Sequence, residues 1–423
     1  MPMKTHVPTP RAAAVQLLDQ VLGEGRLMSD LLAGGALQTL LPADRARAQR
    51  LAGDTLRGLE RADRLLAKHL RKAPPLPVRN VLRAATVELA LGGDAHGVVN
   101  EAVEIVGRHR RHNRLKALVN AVLRKLVDEA PAKWRDLRQP GLPGWLREPL
   151  VAAWGKAAVA AMERAHFAGA PLDLTVKSDA AAWADRLGGT VLPTGSVRLF
   201  EAPQISTLPG YDTGDWWVQD AAAAVPVKVL APQEGERVLD LCAAPGGKTL
   251  QLAAMGAQVT ALDISERRMA RVTENLARTG LTAECVTGDA LAHQGQYDAI
   301  LCDAPCSATG TIRRHPDLPH AKDGTEFGAL IDLQAAMIDH ALTLLTPSGR
   351  LVFCTCSLLP DEGECQVEAA LDRHPGLRVD RAALDLPGMD PAWITEEGGL
   401  RLRPDHWPEL GGMDGFYIAC LRI

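Results

Sequence analysis

The chain has 423 residues, 47% hydrophobic and 23% charged, with a formal net charge of −4 and eight cysteines. That length leaves room for two to three domains with ample cores. The cysteines form no CxxC pair or regular framework, which favours a reducing cytoplasm over a disulfide scaffold, and charges break every hydrophobic run well short of the roughly 18 residues a bilayer span needs. Residues 1–14 carry Lys4, His6, Arg11 and three prolines but no apolar run, so no secretory leader is expected.

Charge is distributed unevenly. Residues 1–135 hold 23 Lys plus Arg against 13 Asp plus Glu, whereas the remainder holds 24 against 38. The basic third reads as a helical bundle: apolar stripes such as Val15, Leu18 and Leu22, or Val78, Leu82, Ala85 and Leu89, are separated by breaks at Gly34-Gly35, Pro74-Pro75 and Gly92-Gly93. Its densest basic run, with Arg108, Arg110, Arg111, Arg114 and Lys116, precedes apolar residues at 115, 118, 119, 122, 123 and 126. That spacing predicts an amphipathic helix with a charged entrance, suited to phosphate backbones or to plain solvation. Pro140 to Gly144 reads as a linker. Residues 145–166 read as a helix, and strands at 172–176 and 197–200 flank a helix at 180–187.

The remainder alternates short apolar strands with turns. Residues 237–243 run into Ala244-Pro245-Gly246-Gly247-Lys248-Thr249 and then a helix at 250–255, a βα turn whose glycines allow close approach and whose helix N–H groups favour an anion. A P-loop is excluded because Cys242 stands where its first Gly belongs. The strand at 258–262 ends on Asp263, suited to ribose hydroxyls, and one at 283–287 ends at Gly288-Asp289, which is suited to an adenine amino group or to capping a helix. A further strand at 297–302 leads to Asp303-Ala304-Pro305-Cys306-Ser307. The strand at 350–353 leads to Thr355-Cys356-Ser357, so the two thiols, 50 residues apart, both follow buried parallel strands. Three acid-tipped strands in order fit an adenosyl cofactor, and two thiols at one sheet edge suggest covalent chemistry.

These motifs, Leu239 to Thr249, Asp303 to Gly310 with Ile312 to Asp317, Thr355 to Ser357 and Met413 to Tyr417, together resemble the RNA cytosine-C5 methyltransferases of the Nol1/Nop2/Sun superfamily, in particular its bacterial branch acting on 16S ribosomal RNA. Residues 98–105 and 117–124 resemble the NusB family of RNA-binding helical domains. The resemblance implies an all-α NusB-like bundle over 1–135, a linker and small α+β subdomain over 136–215, and a Rossmann-like class I methyltransferase domain over 216–423. It implies S-adenosylmethionine as cofactor, held by Cys242, Ala243, Ala244, Pro245, Gly246, Gly247, Lys248, Asp263, Asp289 and Asp303. The basic run would dock ribosomal RNA or an assembling small subunit, with no membrane or metal involved. Two stretches depart from the family pattern: residues 172–178 lack an Arg and an Asn, and residues 318–324 lack a Trp and paired arginines.

Cytosine C5 is a poor nucleophile, so a thiolate must first add to C6. By motif match Cys356 is that nucleophile, and Cys306 helps to eliminate the enzyme afterwards; DNA cytosine methyltransferases use a Pro-Cys nucleophile, which keeps the reversed assignment open. Asp303 would bind cofactor or base, and Lys248 would orient it or favour a thiolate. Rival readings are an RNA-binding assembly factor with an inactive methyltransferase fold, an enzyme for another RNA, and a zinc site at Cys302, Cys306, Cys354 and Cys356. The zinc reading fits poorly with a strand position for Cys302.

Overall fold

The computed structural model describes residues 8–201 and 204–423; residues 1–7, part of the stretch read as lacking a leader, lie outside the described residues. The chain divides into two compact units.

The described residues of the first, before residue 134, form seven α-helices: α1 (Pro10–Glu24), α2 (Met28–Ala33), α3 (Pro42–Arg57), α4 (Leu59–Ala67), α5 (Leu76–Ala90), α6 (Ala95–Arg108) and α7 (Lys116–Lys133). Thr9 and Asp94 cap α1 and α6 by accepting backbone N–H bonds from Ala12 and Gly97. The expected stripes face inward: Val15, Leu18, Val78, Leu82, Ala85 and Leu89 are buried with Val119, Val122, Leu123 and Leu126 of α7. Residues 314–323, which the sequence reading placed with the C-terminal domain, belong to this unit. Asp317 accepts the Met28 N–H at 2.7 Å, and the Trp145 indole donates to the Pro319 carbonyl at 3.3 Å.

The helix expected over 145–166 is present as α8 (Gly144–Ala168), but it is broken at Gly155, whose φ of 79° and ψ of 159° are not helical. The second unit then has two sheets. β1 (Leu172–Val176), β2 (Thr190–Val191), β3 (Val197–Leu199) and β4 (Trp216–Val218) form a four-stranded sheet in the order β2-β3-β1-β4, with α9 (Ala180–Leu187) packed on it. This sheet therefore extends past residue 215, where the sequence reading drew a boundary.

The larger sheet holds β5 (Arg237–Leu241), β6 (Gln258–Asp263), β7 (Glu284–Thr287), β8 (Tyr297–Asp303), β9 (Leu345–Thr355), β10 (Arg378–Val379), β11 (Leu400–Leu402) and β12 (Phe416–Arg422). Its order is β10-β12-β9-β8-β5-β6-β7, with β11 paired to β12. The five strands from β5 to β9 are parallel, and β10, β11 and β12 are antiparallel additions at one edge. Helices α10 (Val225–Leu230), α11 (Gly247–Ala254), α12 (Glu266–Thr279), α13 (Phe327–Thr343) and α14 (Glu364–Arg373) connect or cover the strands. The chain order reverses direction between β5 and β8, the switch point beside which such folds bind ligands.

Buried ion pairs tie the two sheets together. Arg198 on β3 is fully buried, holds both Asp173 carboxylate oxygens at 2.6 Å, and donates to the Leu410 and Gly412 carbonyls. Arg313, equally buried, pairs with Asp220 and, at 2.9 Å, with Asp414. Removing one member of such a pair leaves an uncompensated charge. Asp173→Ala should therefore destabilise this unit by roughly 3–5 kcal/mol in denaturant unfolding; a loss below about 1 kcal/mol would show that the carbonyl contacts alone hold Arg198.

Candidate active site

The turn after β5 is shaped by its neighbours. Cys242 adopts a left-handed φ of 63°, and Gly246 lies at φ 103°, a conformation that favours glycine. A side chain on Gly246 would also come within 3.3 Å of the Val272 backbone on α12. Arg268 and Asn275 of α12 hold the Ala244 and Pro245 carbonyls at 2.7 and 3.1 Å. Ala243 and Ala244 are buried and Pro245 is exposed. The Cys242 thiol is pushed up to about 12 by burial and by the carboxylates of Asp303, Asp263 and Asp240, which makes it an inert wall. The α11 N-terminus has no side-chain cap, so its first N–H groups remain suited to a carboxylate.

Asp263, at the tip of β6, is almost fully buried and accepts the Ala244 and Ser265 N–H groups at 3.2 and 2.9 Å. Asp289 is exposed and accepts the Leu291 N–H at 3.0 Å, capping a short turn. Asp240, one strand residue earlier than the turn, gives one oxygen to the Thr249 hydroxyl at 2.6 Å and keeps the other without a hydrogen-bond partner. Burial, foremost, lifts its carboxyl to about 7. An uncapped helix start and an acid at the next strand tip fit the carboxylate and ribose groups of S-adenosylmethionine.

Beside this cradle lie the thiols. The Cys306 and Cys356 sulfurs are 3.5 Å apart, and both cysteines are free and partly exposed. Lys248 donates to Asp303 at 2.6 Å, lies 5.1 Å from the Phe416 ring, and has its pKa raised: burial opposes its charge, but Asp303 and the thiols Cys354 and Cys356 outweigh that cost. The Cys306 thiol is held well above its usual range, first by its hydrogen bond with Cys356, then by burial, and then by the charges of Cys356 and Glu362. The backbone fixes this pairing. The Gly310 N–H donates to the Cys356 carbonyl at 2.9 Å, and the Gly415 N–H donates to the Gly310 carbonyl at 2.8 Å. A Cβ on Gly310 would lie 2.1 Å from the Gly415 oxygen, so only glycine fits.

The structure thus brings Lys248, Asp303, Cys306 and Cys356 together and sets Asp263 and the glycine turn alongside. Cys354, the last buried thiol before the strand ends, faces Asp303 instead, at 3.5 Å. The basic run is in the first unit: Arg108, Arg110, Arg111, Arg114 and Lys116, from the end of α6 to the start of α7, are all exposed, with Arg108 paired to Glu104 at 3.0 Å. Among the described residues no cluster of His, Cys, Asp or Glu is arranged to hold a metal ion, and Cys302 and Cys354 are buried in strands. In the departing strand, Thr175 bonds Gln219 at 2.8 Å and Lys177 bonds the Thr279 carbonyl, so both are occupied internally. Sequence reasoning missed Glu362, Gln334 and the Arg313 pairs; serines directly after each cysteine were the available signal.

Residues 227–422 match the family described as 16S rRNA methyltransferase RsmB/F, and residues 8–128 match the NusB family. Ribosomal RNA small subunit methyltransferase B of Vibrio cholerae is 36% identical, over 97% of this chain and 96% of that protein. The fold is shared with the crystal structure of PH0851, at 23% identity and a TM-score of 0.75, which covers 99% of this chain and all of that one. A methyltransferase homologue from Pyrococcus horikoshii, 28% identical with a TM-score of 0.55, covers 65% of this chain and 93% of its own. No helix among the described residues is long and apolar enough to cross a membrane. With the glycine turn, the paired thiols and a NusB-like bundle all in one chain, the chain belongs to the RsmB/F family of 16S ribosomal RNA methyltransferases.

Proposed function

We propose that this enzyme methylates C5 of a cytosine in small-subunit ribosomal RNA, with Cys356 bonding covalently to C6 and Cys306 resolving the adduct. The observation carrying this reading is the 3.5 Å contact between the two sulfurs, beside the Lys248–Asp303 pair. S-adenosylmethionine supplies the methyl group as an electrophile bound at the glycine turn, with Asp263 at its ribose, Asp289 toward its adenine and Cys242 to Lys248 lining it. The three-part division at 1–135, 136–215 and 216–423 assigns RNA docking to the first part and chemistry to the last. The reaction would take place in the cytoplasm, on free RNA or an assembling subunit, without a metal.

The thiol environments support the order of roles. Cys306 is the thiol whose proton is held, by its hydrogen bond to Cys356 and by burial, and this favours Cys356 as the attacking sulfur. Its electron pair forms the S–C6 bond, and C5 becomes enamine-like and able to take a methyl group. Once Cys356 is bonded to carbon its negative charge is gone. With that charge gone, the partly exposed Cys306 gives its proton to solvent, and its thiolate then takes the C5 proton. Removal of that proton re-forms the C5–C6 double bond and returns the S–C6 pair to Cys356. Lys248, kept cationic, holds Asp303 toward the base pocket. The target base must be unstacked to reach the site, at lower cost in a loop than in a duplex.

Cys356→Ser should abolish methylation and any covalent link to RNA, because a serine hydroxyl stays protonated at neutral pH. Cys306→Ser should still attack and accumulate a denaturation-resistant RNA adduct on a gel; the opposite pattern would reverse the roles. Asp263→Ala should weaken S-adenosylmethionine binding by one to two hydrogen bonds, roughly 1.5–3 kcal/mol each. Calorimetric titration reads this directly, and unchanged affinity in a folded variant would remove Asp263 from the cofactor site. Replacing Arg110, Arg111 and Arg114 with Gln should weaken RNA binding and flatten its salt dependence without altering cofactor affinity. An unchanged salt slope would identify these arginines as an ordinary solvated surface.

A further inference from the structure

We propose that Glu362, in the turn between β9 and α14, is a positioning residue that locks the two cysteine loops together and sets a buried carboxylate directly beside the Cys306 loop. The inference rests on the reading of Cys306 and Cys356 given above. Glu362 is fully buried, yet among the described residues no Lys, Arg or His forms an ion pair with it. Its donors are neutral and converge from three elements. One carboxylate oxygen accepts the Ser307 N–H at 2.8 Å and the Gln334 side-chain amide of α13 at 3.1 Å; the other accepts the Ser307 hydroxyl. The Glu362 carbonyl accepts the Thr355 hydroxyl at 2.8 Å.

One residue is therefore bonded directly after Cys306 and directly before Cys356. A small hydroxyl network closes the bracket. The Ser307 hydroxyl lies 3.1 Å from that of Ser357, Thr309 lies within 3.3 Å of both, and the Leu358 and Leu359 N–H groups donate to Thr309 and Ser357. Gln334 also donates to the Pro305 carbonyl at 2.8 Å, so both residues flanking Cys306 are held. Burying a carboxylate without a cation is costly, and hydrogen bonding alone could be met by a neutral acceptor. The carboxylate is bonded to Ser307, the residue directly after Cys306, so a charge on it lies next to that thiol. The charged or titratable groups around the two loops are Cys356, from the loop after β9, Glu362, from the turn that follows, and Arg401, which donates to the Ser357 carbonyl and pairs with Glu364; Lys248 and Asp303 pair with each other. In the adduct Cys356 is neutralised, which leaves Glu362 as the group that keeps Cys306 a good proton acceptor.

The test uses the full-length enzyme with an unmodified 16S rRNA transcript and S-adenosylmethionine, following adduct formation and adduct decay separately by quenched denaturing gels between pH 5.5 and 9, conditions spanning about two units either side of neutral. Glu362→Gln keeps an acceptor for Ser307 but removes the charge. It should form the adduct within about threefold of the parent, while the pH midpoint of decay moves to lower pH by about one unit and the plateau rate falls, as expected for a weaker base. Glu362→Ala loses both functions and should form the adduct at least about tenfold more slowly, a cost of about 1.4 kcal/mol. A decay profile for Glu362→Gln superimposable on the parent overturns the electrostatic role, whether or not the alanine variant folds. Adduct formation at the parental rate in folded Glu362→Ala overturns the positioning role. Cys306→Ser run in parallel separates the two levels: if it accumulates no adduct, the assignment of Cys306 fails, and with it this proposal.

Discussion

The parallel pairing of β8 with β9 is the constraint on which the site depends. Its register sets Cys302 against Phe353 and Asp303 against Cys354, so both strands finish at the same sheet edge. Parallel neighbours release their loops on one side, which is where open α/β sheets collect ligands. Two cysteines 50 positions apart thereby come within 3.5 Å without any disulfide or metal. The bond from Gly310 to the Cys356 carbonyl, and the close approach of Gly415, then convert neighbouring loops into one rigid object.

Electrostatics around that edge divides the labour. Lys248 is paired with Asp303, while Asp240 lies buried behind them and is pushed toward neutrality. Cys242, Cys302 and Cys354 are held protonated by burial first and then by neighbouring carboxylates, with Cys242 ahead of them for Cys302, which keeps three thiols next to the site chemically quiet. Only the Cys306–Cys356 pair combines partial exposure with a thiol–thiol hydrogen bond, and that combination separates reactive from structural cysteine.

The small antiparallel sheet is joined to the large one by fully buried guanidinium groups rather than by a broad apolar seam alone. Arg198 reaches from β3 to the Leu410 and Gly412 carbonyls, and Arg313, which follows the Cys306 loop, reaches Asp220 and Asp414. A charge that loses stability if its partner shifts imposes a single arrangement. The loop carrying Cys306 is thus fixed at both ends, by strand pairing before it and by the Arg313 pairs after it.

Sequence alone determined a good deal. Apolar periodicity located α1, α5 and α7 of the bundle and the five parallel strands, because burial imposes its period on residue type. Local chemistry located the glycine turn, Asp263 and both thiols, because each motif is contiguous and its demands are local. The break at Gly155, the fourth strand at Trp216–Val218, the antiparallel edge strands and the placement of residues 314–323 in the helical unit were decided by tertiary structure. So were the capping role of Asp289, the internal bonding of Thr175 and Lys177, and the whole bracket around Glu362. In each of these cases the partner lies far along the chain or depends on how the backbone turns, and a buried carboxylate reads in sequence like any surface acid until the fold encloses it.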